Sequence, residues 1–227
     1  MAALPLFRMR QCVHKSCRFR FPIPDGSPEG EQCPRCGAET FLATEAFAGN
    51  QPKSRPAAGG PALEGLLDNI RSAFNVGAIY RTADGAGFRH LHLCGITATP
   101  AHRKVAKTAL GAEESVFWSR HYNALDAVRS LKEEGYCLWA LERDEGAQSI
   151  FQVDASALSD PVVLIVGNEL AGIDPDVQAA CHRILYIPMA GVKESLNVAV
   201  AFGIAAYHLR YGPRNVTLAS RTPRAKW

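Results

Sequence analysis

The chain has 227 residues, of which 47% are hydrophobic and 21% charged, and its formal net charge is +3. These values exclude a disordered, collagen-like or coiled-coil protein, because the apolar residues suffice to form a core. The longest uncharged apolar stretch, residues 195–209, is shorter than the roughly 20 residues that cross a bilayer. The first residues contain arginines and lack the apolar core of a signal peptide, so we expect a cytoplasmic protein without membrane contact.

Four of the seven cysteines fall within the first 36 residues, in the pattern C-x4-C-x15-C-x2-C. This spacing predicts a zinc ribbon in which thiolates hold one structural Zn²⁺. A region of about 40 residues is too small to be stabilised by burial alone, and a metal supplies what its core lacks. The alternatives are disulfides, which are uncommon in the cytosol, and free thiols. The predicted ligands are Cys12, Cys17, Cys33 and Cys36.

Basic residues and phenylalanines are interleaved in the same region, a pattern that favours contact with RNA. The alternative is a solvated face on which the two phenylalanines pack. His14, between the first two cysteines, is interpreted as a surface residue rather than a ligand. The residues concerned are Arg8, Arg10, Lys15, Arg18, Arg20, Arg35, Phe19 and Phe21.

Composition divides the chain into four segments. We predict a zinc ribbon at 1–42, a linker rich in Pro, Gly and Ala at 43–61, a large domain at 62–212 and a basic tail at 213–227. The three remaining cysteines are isolated, and we assign them no function. They are Cys94, Cys137 and Cys181.

Compact apolar runs in the large domain alternate with segments of helical periodicity. This alternation predicts an α/β fold with a largely parallel sheet. Ligands of such sheets bind beyond the carboxyl ends of the strands, where we expect the functional residues. Ser72 is the expected N-cap of the first helix. The predicted strands are 90–95, 136–141, 161–167 and 184–188, and the predicted helices are 75–86, 123–134 and 195–210.

Three motifs place polar residues at the expected edge of the sheet. Taken singly, each has an ordinary explanation: a surface arginine, a βα turn, or an N-cap at Ser195. A glycine at the end of a strand lets a ligand approach the backbone closely. Asn197, one turn before a buried face, is harder to explain by packing. The motifs are NIRSAFNVGAIYRTADGAGF with Asn75 and Arg81, VVLIVGNELAGI with Gly167 and Glu169, and ILYIPMAGVKESLNVAVAFGIAAYHL with Ser195 and Asn197.

In this order and spacing, the three motifs resemble the SPOUT superfamily, and more narrowly its TrmH-like (SpoU) RNA 2′-O-ribose methyltransferases. The resemblance covers residues 66–211, most of the large domain. It implies a SPOUT fold whose C-terminal part forms a trefoil knot, S-adenosylmethionine as cofactor, and a homodimer that buries the last helix. The implied cofactor residues are Gly167, Ile187, Met189, Ser195 and Leu196.

The implied reaction transfers a methyl group to a ribose 2′-hydroxyl of tRNA or rRNA. The resemblance implies that the motif arginine, here Arg81, acts at that hydroxyl. With a pKa above about 12, arginine is a poor general base, so we expect Arg81 to hold a phosphate and stabilise negative charge on the oxygen. Asn75 would orient the ribose or Arg81. Glu169 and Asn197 would complete the polar shell, and Ser195 would support the cofactor or the substrate.

Three other functions compete with this hypothesis. A catalytically inactive RNA-binding SPOUT module would bind RNA without methylating it, and a base-modifying SPOUT enzyme would leave the ribose unmodified. A NAD-dependent Rossmann enzyme is disfavoured, because neither a G-x-G-x-x-G fingerprint nor a P-loop occurs in the chain. Residues 101–115 have two interpretations, a second RNA contact or a solvated helix face. The basic residues in this range are His102, Arg103, Lys104 and Lys107.

Overall fold

The computed structural model describes residues 6–48, 61–154 and 160–212. The chain separates into two compact units, Met1–Ala57 and Ala58–Trp227, which are taken in turn. The predicted basic tail and most of the predicted linker lie outside the described residues. No helix within these three ranges is both long enough and apolar enough to cross a membrane.

The first unit is an antiparallel sheet in which one strand pairs with the three others. Cys12 ends the shared strand, and the turns that follow the strands bring in the other three cysteines. The last strand lies inside the range predicted as linker, because Phe47 packs on Phe7 with ring centroids 6.4 Å apart. The strands are β1 Leu6–Cys12, β2 Arg20–Pro24, β3 Thr40–Leu42 and β4 Phe47–Ala48.

The second unit is built on a seven-stranded sheet, and every pairing in it is parallel. The strands are β5 Leu63–Asp68, β6 His90–Cys94, β7 Phe117–His121, β8 Cys137–Leu141, β9 Gln148–Ser149, β10 Val162–Val166 and β11 Arg183–Tyr186. Their order across the sheet is β7-β6-β5-β10-β8-β11-β9. The predicted α/β class and the largely parallel sheet are confirmed. Strands β5, β7 and β9 were not among the predicted strands.

Helices cover both faces of this sheet, so the core lies in two layers. The helices are α1 Ala73–Ala86, α2 Arg103–Ala109, α3 Ala124–Glu133, α4 Pro175–Ala180 and α5 Val198–Tyr211. Helices α1 and α5 cover one face, and α3 and α4 cover the other. Ser72 caps α1 as predicted, with its hydroxyl accepting from Asn75 N at 3.3 Å.

The last helix begins later than predicted, and the expected cap at Ser195 is wrong. Asn197 is the N-cap of α5, and its side-chain oxygen accepts from Ala199 N at 2.9 Å and Val200 N at 3.4 Å. Both serine and asparagine are good caps, so local preference alone does not choose between them. The residues before Asn197 form a loop that runs along the edge of the sheet.

Candidate functional site

A cavity of about 540 Å³ opens at the carboxyl edge of the parallel sheet. It lies where β8, β10 and β11 end, which is the position that parallel α/β sheets use for ligands. All five residues predicted to bind the cofactor line it, as do Glu169 and Asn197. The lining residues are Leu141, Glu142, Arg143, Val166, Gly167, Asn168, Glu169, Leu170, Gly172, Tyr186, Ile187, Met189, Glu194, Ser195, Leu196, Asn197, Val198 and Ala201.

The loop after β10 folds back on itself at one wall of the cavity. Asn168 and Gly172 exchange two backbone hydrogen bonds of 2.9 Å each. A Cβ at Gly167 would overlap the backbone of Gly172 and Ile173. The sequence suggested that a ligand's close approach requires glycine at position 167. In the structure, the return of the loop onto its own backbone requires this glycine, whether or not a ligand approaches.

Glu169 joins this loop to the start of α1. Its carboxylate accepts from the backbone N–H of Arg71 at 2.8 Å and of Ser72 at 3.0 Å, and from Asn75 Nδ2 at 2.8 Å. Burial alone would raise the pKa of Glu169, but these hydrogen bonds outweigh it and lower the pKa. Glu169 is thus a charged anchor with both oxygens engaged, which suits a positioning residue better than a proton acceptor.

Asn75 extends the connection to the last helix. Its side-chain oxygen accepts from Asn197 Nδ2 at 3.1 Å, while its amide nitrogen donates to Glu169. Asn197 in turn caps α5, which supplies the structural explanation that the sequence did not offer. Three residues from the three motifs therefore form one hydrogen-bonded chain, Glu169–Asn75–Asn197, beside the cavity.

Further polar residues outside the predicted set of site residues fix the same edge. Asn168 Nδ2 donates to Asn69 O at 2.8 Å, and Asp68 Oδ2 accepts from Asp174 N at 3.0 Å. Glu142 Oε2 accepts from Ile173 N at 3.1 Å. Asp68 ends β5, and Glu142 directly follows β8. Their place at strand ends was the available signal, but β5 was not recognised as a strand.

Arg81 is not brought to this cavity within one chain. It is exposed on α1, six residues beyond Asn75, which corresponds to about 9 Å along the helix axis. Its guanidinium makes no hydrogen bond or ion pair with the residues that the structure describes. Ser195 does line the cavity and is exposed. The predicted catalytic set is therefore only partly assembled in a single copy.

The first unit carries a second candidate site, formed by its four cysteines. Their sulfur atoms all lie within 4.8 Å of one another, with Cys12 Sγ 3.5 Å from Cys36 Sγ and Cys17 Sγ 3.8 Å from Cys33 Sγ. Tetrahedral zinc with Zn–S bonds of about 2.3 Å sets its sulfurs about 3.8 Å apart. The four residues fit a Cys₄ zinc site. His14 is not part of the cluster; its ring faces Ser16 Oγ at 2.9 Å.

The basic residues of the first unit divide into two groups. Arg8 pairs with Asp25 at 2.6 Å, and Arg10 Nε donates to Thr40 Oγ1 at 2.7 Å, so both hold the sheet together. The cations left without such partners among the described residues lie beside the cysteines, namely Lys15, Arg18 and Arg35. A Cys₄ zinc site carries a formal charge of −2, and cations at this position partly offset it.

The geometry defines a class: a parallel α/β protein with a ligand cavity at its carboxyl edge, preceded by a small Cys₄ unit. Comparison with known proteins narrows this class. A profile of the SpoU rRNA Methylase family matches residues 64–207. The 23S rRNA (guanosine(2553)-2′-O)-methyltransferase RlmP of Bacillus subtilis (strain 168) is 34% identical over 198 residues, covering 83% of this chain and 76% of the relative.

Two further matches agree. The 23S rRNA (guanosine-2′-O-)-methyltransferase RlmB of Ralstonia nicotianae is 33% identical over 149 residues, or 65% of this chain and 58% of the relative. The crystal structure of an AdoMet-bound rRNA methyltransferase from Sinorhizobium meliloti superposes with a TM-score of 0.62 and 31% identity, covering 67% of this chain and 57% of that one. The chain belongs to the SpoU rRNA methylase family, so the resemblance found in the sequence is confirmed.

The coverage of the relatives is incomplete. The chain spans 58% of the length of the Ralstonia relative and 76% of the Bacillus one. These matches show the family of the chain and leave its activity, substrate and partners to be tested.

Proposed function

We propose that the protein transfers a methyl group from S-adenosylmethionine to a ribose 2′-hydroxyl of tRNA or rRNA. The observation that carries this proposal is the cavity, which collects all five predicted cofactor residues beside the Glu169–Asn75–Asn197 chain. The names of the two relatives, both 23S rRNA 2′-O-methyltransferases, and the AdoMet-bound structure support it.

The residues of the cavity fit the cofactor. Apolar side chains such as Ile187 and Leu196 offer a surface for an adenine ring, and Gly167 and Met189 border the same space. Glu142 and Glu169 bring negative charge to a site that would hold a cation, while Glu194 is paired with Arg143 at 3.6 Å. When bound, S-adenosylmethionine supplies an activated methyl group on a positively charged sulfur. The chain's own contribution is to hold and orient the two reactants, which lowers the barrier by proximity.

Arg81 is proposed to bind the phosphate next to the target ribose and to stabilise negative charge on the 2′-oxygen. Asn75 orients the ribose or Arg81, and Asn197 and Glu169 keep Asn75 in place through their hydrogen bonds. Ser195, exposed at the mouth of the cavity, contacts the cofactor or the ribose.

We also propose a homodimer through α5, with the chain threaded as a trefoil knot. Three large side chains of α5 leave about half or more of their surface exposed in a single copy: Val200 at 51%, Tyr207 at 48% and Tyr211 at 62%. Thr82, the neighbour of Arg81, lies against Gly203 of α5. A second copy packed on α5 would therefore approach Arg81 and could use it at its own cavity.

We also propose that the protein is cytoplasmic, that residues 1–42 supply the zinc ribbon and that residues 62–212 form the methyltransferase domain. The ribbon and the tail at 213–227 are proposed to add affinity for RNA. A chain beginning at Ala62 that methylates the same RNA with unchanged kinetics would contradict that role for the ribbon.

The test combines calorimetry with S-adenosylmethionine and transfer of its labelled methyl group to total tRNA and rRNA. We expect cofactor binding and, after alkaline digestion of the RNA, labelled dinucleotides that resist cleavage. Arg81→Ala should reduce transfer at least about 100-fold while leaving cofactor affinity within about twofold. Equal loss of cofactor binding and transfer would contradict the role of Arg81.

Other outcomes separate the alternatives. Cofactor binding without any transfer would indicate an inactive RNA-binding module. Label released as a mononucleotide would indicate a methylated base. Mixing Arg81→Ala chains with chains carrying a blocked cavity tests the dimer, because activity recovered on mixing requires two copies to share one site.

A further inference from the structure

Exposed cations without ion-pair partners gather on α2, beside the start of α1. Arg103, Lys104 and Lys107 are all exposed, and none pairs with a carboxylate among the described residues. Lys104 and Lys107 are three residues apart, and Arg103 and Lys107 four, so the three charges share one side of the helix.

An exposed aromatic ring adjoins these cations. Phe74 is 51% exposed, although it lies in the first turn of α1, and Lys104 Nζ is 5.7 Å from the centre of its ring. The buried residues of α1 recur at helical spacing from Val76 to Ala86, and Phe74 lies outside this set. We call Phe74, Arg103, Lys104 and Lys107 the basic patch.

The basic patch is held at a fixed position relative to the candidate site. Phe74 directly precedes Asn75, which is bonded to Glu169 and Asn197 at the cavity. Helix α2 touches the backbone of α1 at Gly77, where a Cβ would lie 2.6 Å from Val105 O. Helices α1 and α2 are therefore closely packed, which places the patch beside the start of α1 and the site.

The acidic side chains nearby form no ion pair with the basic patch among the residues that the structure describes. Glu113 Oε2 accepts from Gly111 N at 2.9 Å, and Asp84 Oδ1 accepts from Ser115 Oγ at 2.6 Å. Both carboxylates thus serve local hydrogen bonds. In a chain whose net charge is only +3, a cluster of unpaired cations is a local feature rather than a consequence of composition.

We propose that the basic patch binds the single-stranded RNA next to the ribose that enters the cavity. One base stacks on Phe74, and the adjoining phosphates contact Arg103, Lys104 and Lys107. An aromatic ring flanked by cations is the arrangement by which proteins hold single strands without reading their sequence. The inference rests on the proposed function, since it names how that substrate lies on the protein.

The test measures binding of the complete chain to a fluorescein-labelled single-stranded RNA of about 20 nucleotides and mixed sequence, by anisotropy at several salt concentrations. Arg103→Gln with Lys107→Gln should weaken binding and reduce the slope of log K against log salt by about 1.4, roughly 0.7 for each lost phosphate contact. Phe74→Ala should weaken binding roughly 10- to 100-fold with little change of slope. All of these side chains are exposed, so the variants should fold.

The matched control is Arg129→Gln, which removes one exposed charge from α3 on the other face of the sheet. It should leave both affinity and slope near those of the wild type. Affinity unchanged in the patch variants, or equally reduced in the control, would overturn the proposal. Failure of the wild type to bind the probe at low salt would overturn it too. Equal competition by poly-glutamate, with no effect of Phe74→Ala, would indicate an acidic protein partner instead.

Methyl transfer separates this inference from the proposed function. With active protein, the patch variants should raise KM for RNA while leaving kcat and cofactor affinity nearly unchanged. If transfer proceeds and the variants bind RNA normally, the patch is wrong and the function stands. If the variants lose RNA binding but even the wild type transfers no methyl group, the patch stands and the proposed function fails.

Discussion

The two units of this chain reach stability by opposite means. Within residues 6–48, the buried side chains are Cys12, Ile23, Cys33 and Thr40, so two of the four are proposed metal ligands. In the second unit, most residues of the central strands are buried, and β10 is apolar and covered along its full length. The first unit therefore depends on coordination, whereas the second depends on the hydrophobic effect. The comparison predicts that they respond to different perturbations.

Removal of the metal should have the largest effect, and only on the first unit. With one buried aliphatic side chain, that unit has too little core to remain folded without zinc. We expect a chelator, or Cys33→Ser, to abolish zinc binding and expose residues 6–48 to protease, while the second unit keeps its melting temperature. Zinc content by mass spectrometry, limited proteolysis and calorimetry measure the three quantities.

The matched control is Cys137→Ser, which removes a thiol from β8 without touching the cluster. It should keep one zinc ion per chain. A first unit that stays protease-resistant after chelation would contradict the difference between the units, because it would show that the antiparallel sheet suffices.

The second unit should be most sensitive where a charge is buried in its apolar core. Arg210 is 5% exposed, and it donates from Nε to Ala86 O at 2.7 Å and from Nη2 to Gly87 O at 3.0 Å. It thereby caps the C-terminus of α1, where a positive charge is favourable. Arg210→Met keeps the apolar stem but leaves two carbonyls without their donor. We expect a loss of about 2–4 kcal/mol in the free energy of unfolding.

Urea unfolding of the second unit gives this number, with Arg129→Met on the exposed side of α3 as control. The control should change the free energy by less than about 0.5 kcal/mol. Equal effects of the two substitutions would mean that the buried guanidinium is not a cap.

Acid should weaken the second unit through a cluster on β5, β6 and β7. Burial, aided by repulsion from His92, lowers the pKa of His90 and of His121 below the ordinary 6.5. Burial alone would raise the pKa of Glu64, but hydrogen bonds from His92 at 2.9 Å and Tyr136 at 3.0 Å lower it below 4.5. In both cases the unfolded chain binds protons more readily than the folded one.

Stability from the histidines is therefore complete above about pH 6.5 and falls as the pH drops below it; the contribution of Glu64 falls below about pH 4.5. Melting temperatures between pH 7 and 5 should decline, and His90→Gln should make the decline shallower. His102→Asn, which removes an exposed imidazole and keeps the cap of α2, should not. A pH dependence that His90→Gln leaves unchanged would contradict the role of the cluster.

The sequence predicted best those parts of the structure that depend on a single local pattern of residues. Three features could be predicted because each depends on residues close together in the sequence. They are the apolar run of β10, the cysteine spacing and the cap at Ser72. Strand β5 was missed because Glu64, Gly65 and Asp68 interrupt its apolar pattern. Their side chains are accommodated only by the surrounding fold, for instance by the pairing of Glu64 with His92.

The site shows the same limit. Both Ser195 and Asn197 can cap a helix, and it is Asn197, bonded across 122 residues of sequence to Asn75, that caps α5. The role of Gly167 likewise depends on the return of the chain at Gly172. Contacts between segments distant in sequence are set by the tertiary fold, so neither motif alone could reveal them.

The smallest effect is expected from a substitution at Tyr80, which tests whether the core of the second unit is stabilised without buried polar contacts. Tyr80 is fully buried, yet its hydroxyl has no hydrogen-bond partner among the described residues, and burial raises its pKa. Tyr80→Phe keeps the ring and removes a polar group that gains nothing there, so unfolding free energy should stay constant or rise by up to about 1 kcal/mol. Tyr136→Phe, which loses the bond to Glu64, should cost about 0.5–1.5 kcal/mol in the same urea titration. If Tyr80→Phe destabilises as much as Tyr136→Phe, an ordered water satisfies the hydroxyl, and even the apolar core of the second unit relies on a buried polar contact.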